Sequence, residues 1–316
     1  MLVVALAAAA GIGCAGLTPY AEVREAVPDE SWVEVDGRQI HVVQQGEGPA
    51  VLLLHGFAAS SYSWRELMPL LAGEFHLIAP DLHGFGWTER PREPDAYHPA
   101  GQVTMVRHLL DALGVDECVI VGHSYGGGLA LLLAQQQPDR TTGLVLVAAV
   151  DPYTRAAAPT PDADEGRRPT WIGRASSRVA YAGARWLVSE PRMFRRALGQ
   201  AYADRSMVTS ELAEAYRTRL AVEGFDHAWH GFTSAGGRWP AMEPDLIPPT
   251  MPVAVIAGSR DRIVPPRAVR RLAGRWPDVG WHALDGVGHM PMEEAPEAVA
   301  QVIRELAERG PERHRR

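Results

Sequence analysis

The sequence contains no lysine and no asparagine, and all 31 of its basic residues are arginine. Schiff-base catalysis on a lysine amine, a lysine-type phosphate loop and Asn-linked glycans are thereby excluded. Cysteine is nearly absent: Cys14 and Cys118 are the only two, too few for a disulfide scaffold. No HExxH segment or cysteine cluster supplies a metal site, and no metal or organic cofactor is expected. Long hydrophobic runs are missing as well. The one continuous apolar stretch, Met1 to Leu17, is shorter than the roughly 20 residues a spanning helix needs. Positive charge does not dominate, since the net charge is −7, and a nucleic-acid partner is not expected. What is present is a chain of 316 residues, 46% apolar and 22% charged, able to bury a large core, with one large domain and an insertion as its simplest organisation.

The apolar stretch reads MLVVALAAAAGIGCAGL and stops before Thr18 and Pro19, which resembles the hydrophobic part of a bacterial secretory signal. Gly11-Ile12-Gly13-Cys14 resembles a lipoprotein box, in which cleavage leaves Cys14 as a lipidated N-terminus. Gly11 stands where such boxes usually have Leu, and no basic residue precedes the apolar run. The expectation is an exported protein attached to a membrane through Cys14, with residues 1–20 outside the fold. A cytoplasmic protein with an uncleaved apolar leader is the alternative.

From Trp32 onward, short apolar runs alternate with helical stretches. Trp32–Val35 and Ile40–Val43 flank Asp36-Gly37, a hairpin signal. Val51–Leu54, His76–Ala79, Val119–Val121, Leu144–Val147 and Val253–Ile256 are nearly unbroken, as expected of strands buried on both faces of a parallel sheet, and Trp281–Leu284 is a weaker last strand. Helices are predicted over Trp64–Leu71, Gly101–Leu113, Tyr125–Gln137, Arg267–Trp276 and Pro296–Arg309. This is an α/β pattern, a mostly parallel sheet of eight strands opened by an antiparallel hairpin. The alternation breaks between Asp151 and Ile247, which divides the chain into a core at 31–150, a helical cap at 151–247 and the rest of the core at 248–310. The cap carries Trp171, Trp186, Trp229 and Trp239 with Phe194, Phe225 and Phe232, residues able to line an apolar pocket or to fasten the cap to the body.

Gly122-His123-Ser124-Tyr125-Gly126 is a G-x-S-x-G motif placed directly between a predicted strand and a predicted helix. A nucleophile elbow requires that context, because the turn is too sharp for side chains two residues either side of the serine. His55-Gly56-Phe57 follows the third strand, and Asp81 to Thr88 reads D-x-x-G-x-G-x-T. With these motifs the chain, from about Ser31 to Arg309, resembles the lid-bearing α/β-hydrolases. The resemblance implies an oxyanion hole made by the backbone N–H groups of Phe57 and Tyr125, with His55 as a structural support of its loop.

A serine hydroxyl needs a base to take its proton, and the base needs an orienting carboxylate. The family order is serine, acid, histidine. Gly288-His289-Met290 follows the last strand, where the family places its base, which makes His289 the candidate. Gly258 to Pro265 matches the family's acid loop and gives Asp261, while Asp151 is the alternative site used by some relatives.

Ser124 separates the chain from epoxide hydrolases and haloalkane dehalogenases, which place Asp at the elbow, and His123-Ser124-Tyr125 does not match the proline iminopeptidases. The leading expectation is a carboxylesterase or lipase-like enzyme for a small apolar ester. A carbon–carbon bond hydrolase of aromatic degradation acting on a ketone is the alternative, although such enzymes usually have Trp where this chain has Met290. A non-catalytic binding module on the same fold is a third reading.

Overall fold

Unbroken Val, Leu and Ile runs fold into one eight-stranded sheet of strand order β1-β2-β4-β3-β5-β6-β7-β8 in this computed structural model. The structure describes residues 16–153, 181–234, 239–240, 242, 247 and 251–309. The strands are β1 (Trp32–Val35), β2 (Arg38–Gln45), β3 (Ala50–Leu54), β4 (His76–Pro80), β5 (Cys118–His123), β6 (Thr141–Val147), β7 (Val253–Gly258) and β8 (Gly280–Leu284). Asp36 and Gly37 both take positive φ, 51° and 74°, the backbone that joins two strands with matched twist, and Val35 pairs with Arg38 across the turn. β2 runs antiparallel to β4, and every pairing from β4 to β8 is parallel. Leu52, Leu53 and Leu54 on β3 and all of β5 are buried, because helices cover both faces.

The described helices are α1 (Tyr20–Ala26), α2 (Met68–Leu71), α3 (Pro99–Ala112), α4 (Tyr125–Gln136), α5 (Pro191–Leu198), α6 (Ser210–Leu220), α7 (Phe225–Ser234), α8 (Pro266–Ala273), α9 (Pro291–Glu294) and α10 (Pro296–Glu308), and residues 181–189 are also helical. α5, α6 and α7 lie in the insertion between β6 and β7. The helix expected over Trp64–Leu71 is instead a 3₁₀ turn, Ser61–Trp64, followed by α2. Pro69 has no N–H to bond back along the chain, so the helix restarts beside it.

The stretch set apart as a leader also ends earlier than residue 20. Thr18 donates its N–H to the Ala221 carbonyl at 2.8 Å and accepts from the Glu223 N–H at 2.8 Å, so it is a backbone partner of the insertion. Behind it, Val23 and Val27 of the α1 segment bury themselves against Trp87 and Val222. The buried Arg90 fastens the same corner by donating to the carbonyls of Arg219 and Leu220 at the end of α6, at 3.1 and 3.4 Å. Residues 1–15, with Cys14, lie outside the described residues.

Val23→Asp places an unpartnered carboxyl in this apolar contact, at a cost of about 3 kcal/mol. Its unfolding midpoint in urea is expected well below that of wild type. An unchanged midpoint would mean that α1 is not part of the cooperative fold.

Candidate active site

The elbow is built from what the glycines omit. A Cβ at Gly122 would lie 2.4 Å from the Gly126 carbonyl oxygen, and one at Gly126 would lie 2.2 Å from the Leu54 carbonyl oxygen. Only glycine allows β5, α4 and β3 to meet so closely. Ser124, between them, has φ 51° and ψ −114°, a strained backbone for a residue with a side chain, costing of order 1–3 kcal/mol.

The structure brings Ser124, His289 and Asp261 together. His289 Nε2 lies 3.0 Å from Ser124 Oγ, and His289 Nδ1 lies 2.7 Å from Asp261 Oδ2. Nδ1–H donates to the carboxylate, which leaves the Nε2 lone pair facing the hydroxyl. The other oxygen of Asp261 accepts the N–H groups of Ile263 and Val264 at 2.8 and 2.9 Å, so the carboxylate is pinned from its own loop. Asp151 is engaged elsewhere: it ion-pairs with Arg275 at 3.1 Å and accepts the Tyr153 N–H.

Beside the serine runs the loop after β3. A Cβ at Gly56 would sit 3.2 Å from the Ser124 Cβ, which measures how closely the loop passes. The Gly56 carbonyl accepts from His55 Nδ1 at 2.8 Å and from the Ala59 N–H at 3.2 Å. A trans peptide points its N–H opposite to its carbonyl, so these two bonds set the direction of the Phe57 N–H. His55 Nε2 in turn accepts the Leu82 N–H at 3.0 Å, so both ring nitrogens are committed to structure. The D-x-x-G-x-G-x-T segment is structural too. Asp81, fully buried, accepts from the Ser61 N–H, the Trp87 N–H and His41 Nδ1 at 2.6, 2.8 and 2.8 Å.

A cavity of about 320 Å³ opens beside Phe57 and Ala58, walled by Phe85 and by Val188, Phe194, Phe225 and Phe232 of the insertion. Among the described residues, no charged side chain lines it. The Phe85 and Phe232 rings stack at 4.9 Å, and the edge of Phe57 meets Phe232 at 5.2 Å. Trp229 also lines the cavity, whereas Trp239 packs against Gly128 of α4 and Trp186 is exposed. Trp171 lies outside the described residues.

A family profile for the alpha/beta hydrolase fold matches residues 49–296. The chain belongs to that family. This hydrolase is 31% identical to the 2-hydroxymuconate semialdehyde hydrolase of Pseudomonas putida, over 84% of its own chain and 90% of the relative. It is 41% identical to epoxide hydrolase 2 of Siraitia grosvenorii over 118 residues, a match spanning only 37% of either chain. The solved structure of the meta-cleavage product hydrolase CumD from Pseudomonas fluorescens superposes with a TM-score of 0.68 at 23% identity, over 88% of this chain and 97% of that one, a likeness of fold.

Three residues of the hydrolase's site were given no role by sequence reasoning, although His123 lies inside the elbow motif. His123 donates Nε2–H to the His289 carbonyl at 2.7 Å. Glu294 accepts the N–H groups of Gly288 and Met290, at 3.0 and 3.2 Å. Glu293 is buried and ion-pairs with Arg65 at 2.6 Å. Two adjacent glutamates among the apolar residues after His289 were the available signal, because a carboxylate in such a setting must have partners.

Burial holds His55 and His123 below the usual histidine range, and it lowers His83 to about 4, with Arg38 adding to the effect. Each folded-state value lies below the unfolded one, so on acidification the unfolded chain takes up protons first. Stability is therefore lost as pH falls from about 6.5 toward 4, by up to about 1.4 kcal/mol per pH unit for each such group. Urea midpoints are expected to drop steadily from pH 7 to 5, and a flat profile would contradict neutral, buried histidines.

Proposed function

We propose that this hydrolase is a serine esterase that cleaves a carboxylic ester of an apolar substrate through an acyl-enzyme. The supporting observation is the hydrogen-bonded series Ser124, His289, Asp261, with a cavity at Phe57 and Ala58 of the neighbouring loop that no charged side chain lines among the described residues. In this reading His289 Nε2 takes the Ser124 proton as Oγ attacks the ester carbonyl, and the backbone N–H groups of Phe57 and Tyr125 hold the resulting oxyanion. The imidazolium, stabilised by Asp261, then gives its proton to the leaving alkoxide. Water repeats the sequence on the acyl-enzyme, with His289 as base, and releases the acid and free Ser124. The cavity takes the hydrocarbon part of the substrate, where burial contributes about 0.8 kcal/mol for each methylene.

Cleavage of a carbon–carbon bond in a dienol ketone is the second reading, favoured by the similarity to the Pseudomonas putida enzyme. An apolar lining suits a hydrocarbon acyl or alcohol group better than it suits that polar substrate. Export with lipidation of Cys14 is likewise a proposal, resting on the apolar stretch and the Gly13-Cys14 pair. It makes the membrane a partner of the chain, with only the three residues between Cys14 and Thr18 left as a link, because Thr18 is already bonded to the insertion. Detergent partitioning of wild type and of Cys14→Ser in a bacterial host tests it, with the variant expected to leave the detergent phase.

Purified enzyme is expected to hydrolyse p-nitrophenyl esters and to be labelled by a fluorophosphonate. Ser124→Ala and His289→Ala should each lower kcat by about 10⁶. Asp261→Asn should cost about 10⁴, while Asp151→Asn changes little. Turnover of a dienol ketone without ester hydrolysis would move the assignment to the second reading. No labelling of folded wild type would make the chain a binding module.

A further inference from the structure

The main chain around His289 is held from both sides of the cleft. From the core, His123 grips its carbonyl at 2.7 Å. From the insertion, the carbonyl of Ala201 accepts its N–H at 2.6 Å. Glu294 gathers the neighbouring amides: Oε1 accepts from Gly288 and Met290, and Oε2 accepts the N–H of Ala203 at 2.8 Å. One carboxylate thus spans the histidine loop and residues 201–203 of the insertion. Contact between the two is tight enough that a Cβ at Gly288 would come within 2.5 Å of the Ala203 nitrogen and 2.7 Å of the Ala201 carbonyl oxygen.

Next to this junction lies a second carboxylate with an equally specific set of partners. Glu293 accepts from Arg65 on the core, from the Tyr202 hydroxyl at 2.7 Å, and from the Tyr216 hydroxyl on α6. Burial and the Glu293 charge both raise Tyr202 and Tyr216, so the two phenols stay protonated and remain donors. A charge-assisted bond of this kind, away from water, is about twice as strong as a neutral one, and removing one donor leaves the others to hold a buried charge. The insertion is therefore anchored through Tyr202 and Tyr216 to the residue immediately before Glu294.

We propose that residues 201–203 and Glu294 are positioning residues that make the seating of the insertion a condition for the alignment of His289 with Ser124. The inference rests on His289 acting as the base. Lifting the insertion withdraws the Ala201 carbonyl from the His289 N–H and the Ala203 N–H from Glu294, which frees the loop carrying the base. Displacing a base by about 1 Å costs on the order of 10²-fold in rate. Substrate binding in the cavity, whose walls include the same insertion, then favours the seated state and so assembles the base.

The test uses two variants of the full chain, Glu294→Gln and the double variant Tyr202→Phe with Tyr216→Phe. Glu294→Gln turns an acceptor of three amides into a group that presents its own N–H donors to them. It is expected to lower kcat for a p-nitrophenyl ester by about 10²-fold with KM little changed, and to slow fluorophosphonate labelling in parallel. The double variant keeps every group on the histidine loop. It is expected to lower kcat in the same direction while its urea midpoint stays high enough for the protein to be folded at assay temperature. Amide hydrogen exchange supplies a readout without chemistry: residues 199–203 and 287–291 should lose protection together in both variants. Wild-type kcat in folded Glu294→Gln, or opening of 199–203 with 287–291 still protected, would overturn the proposal. A wild-type enzyme that neither hydrolyses esters nor labels would refute the esterase reading, and the exchange data would still decide the coupling.

Discussion

A serine forced into left-handed backbone between a strand and a helix is the constraint on which the rest of the site depends. At φ 51° and ψ −114°, Ser124 turns the chain out of the sheet and starts α4 in a single residue, which projects Oγ toward the cleft. The strain is tolerated because the surroundings leave no other path. Gly122 and Gly126 allow backbone to touch backbone, and the Ser124 N–H is fixed to the Val147 carbonyl at 2.9 Å. Everything else has to come to that point. The loop after β3 passes against the serine, and the loops after β7 and β8 deliver Asp261 and His289.

Buried polar groups do the delivering. Asp81, with its neighbours Ser61, Trp87 and His41, holds together the loops after β3 and β4. Burial pushes its carboxyl up, but the His41 contact and the Ser61 N–H outweigh this and keep it ionised. His55 directs one peptide of the loop after β3, and the half-buried Glu294 holds the peptides of the His289 loop. Each charge is affordable in the interior only because its partners converge on it, and that convergence fixes the backbone of the cleft.

How much of this the sequence discloses follows from the range of each interaction. Strands made of consecutive Val, Leu and Ile were legible, because burial on both faces leaves a purely local record in the chain; the predicted Trp32–Val35 and Tyr125–Gln137 differ from the observed elements by at most one residue. The elbow was legible for the same reason, since its glycines and its serine sit within five positions. Pairing order was not: β4 lies between β2 and β3, an order that no apolar run encodes. Nor was the attachment of Thr18 to Ala221, a main-chain contact without side-chain signature. The Glu293 partners come from Arg65, Tyr202 and Tyr216, which lie far apart in the sequence and meet only when the insertion is folded onto the core. Asp261 and Asp151 both stood at strand ends in the sequence, and they part in space: Asp261 meets His289 Nδ1, while Asp151 pairs with Arg275.

The central claim is that Ser124 forms a covalent acyl intermediate with His289 as its base. It is tested most directly by mixing the enzyme with excess p-nitrophenyl ester, quenching in acid within milliseconds and measuring the mass of the intact chain and of its peptides. The account predicts an added mass equal to one acyl group, located on the peptide that contains Ser124 and absent from His289→Ala. An adduct on a carboxylate, or rapid turnover with Ser124 never modified, would contradict it.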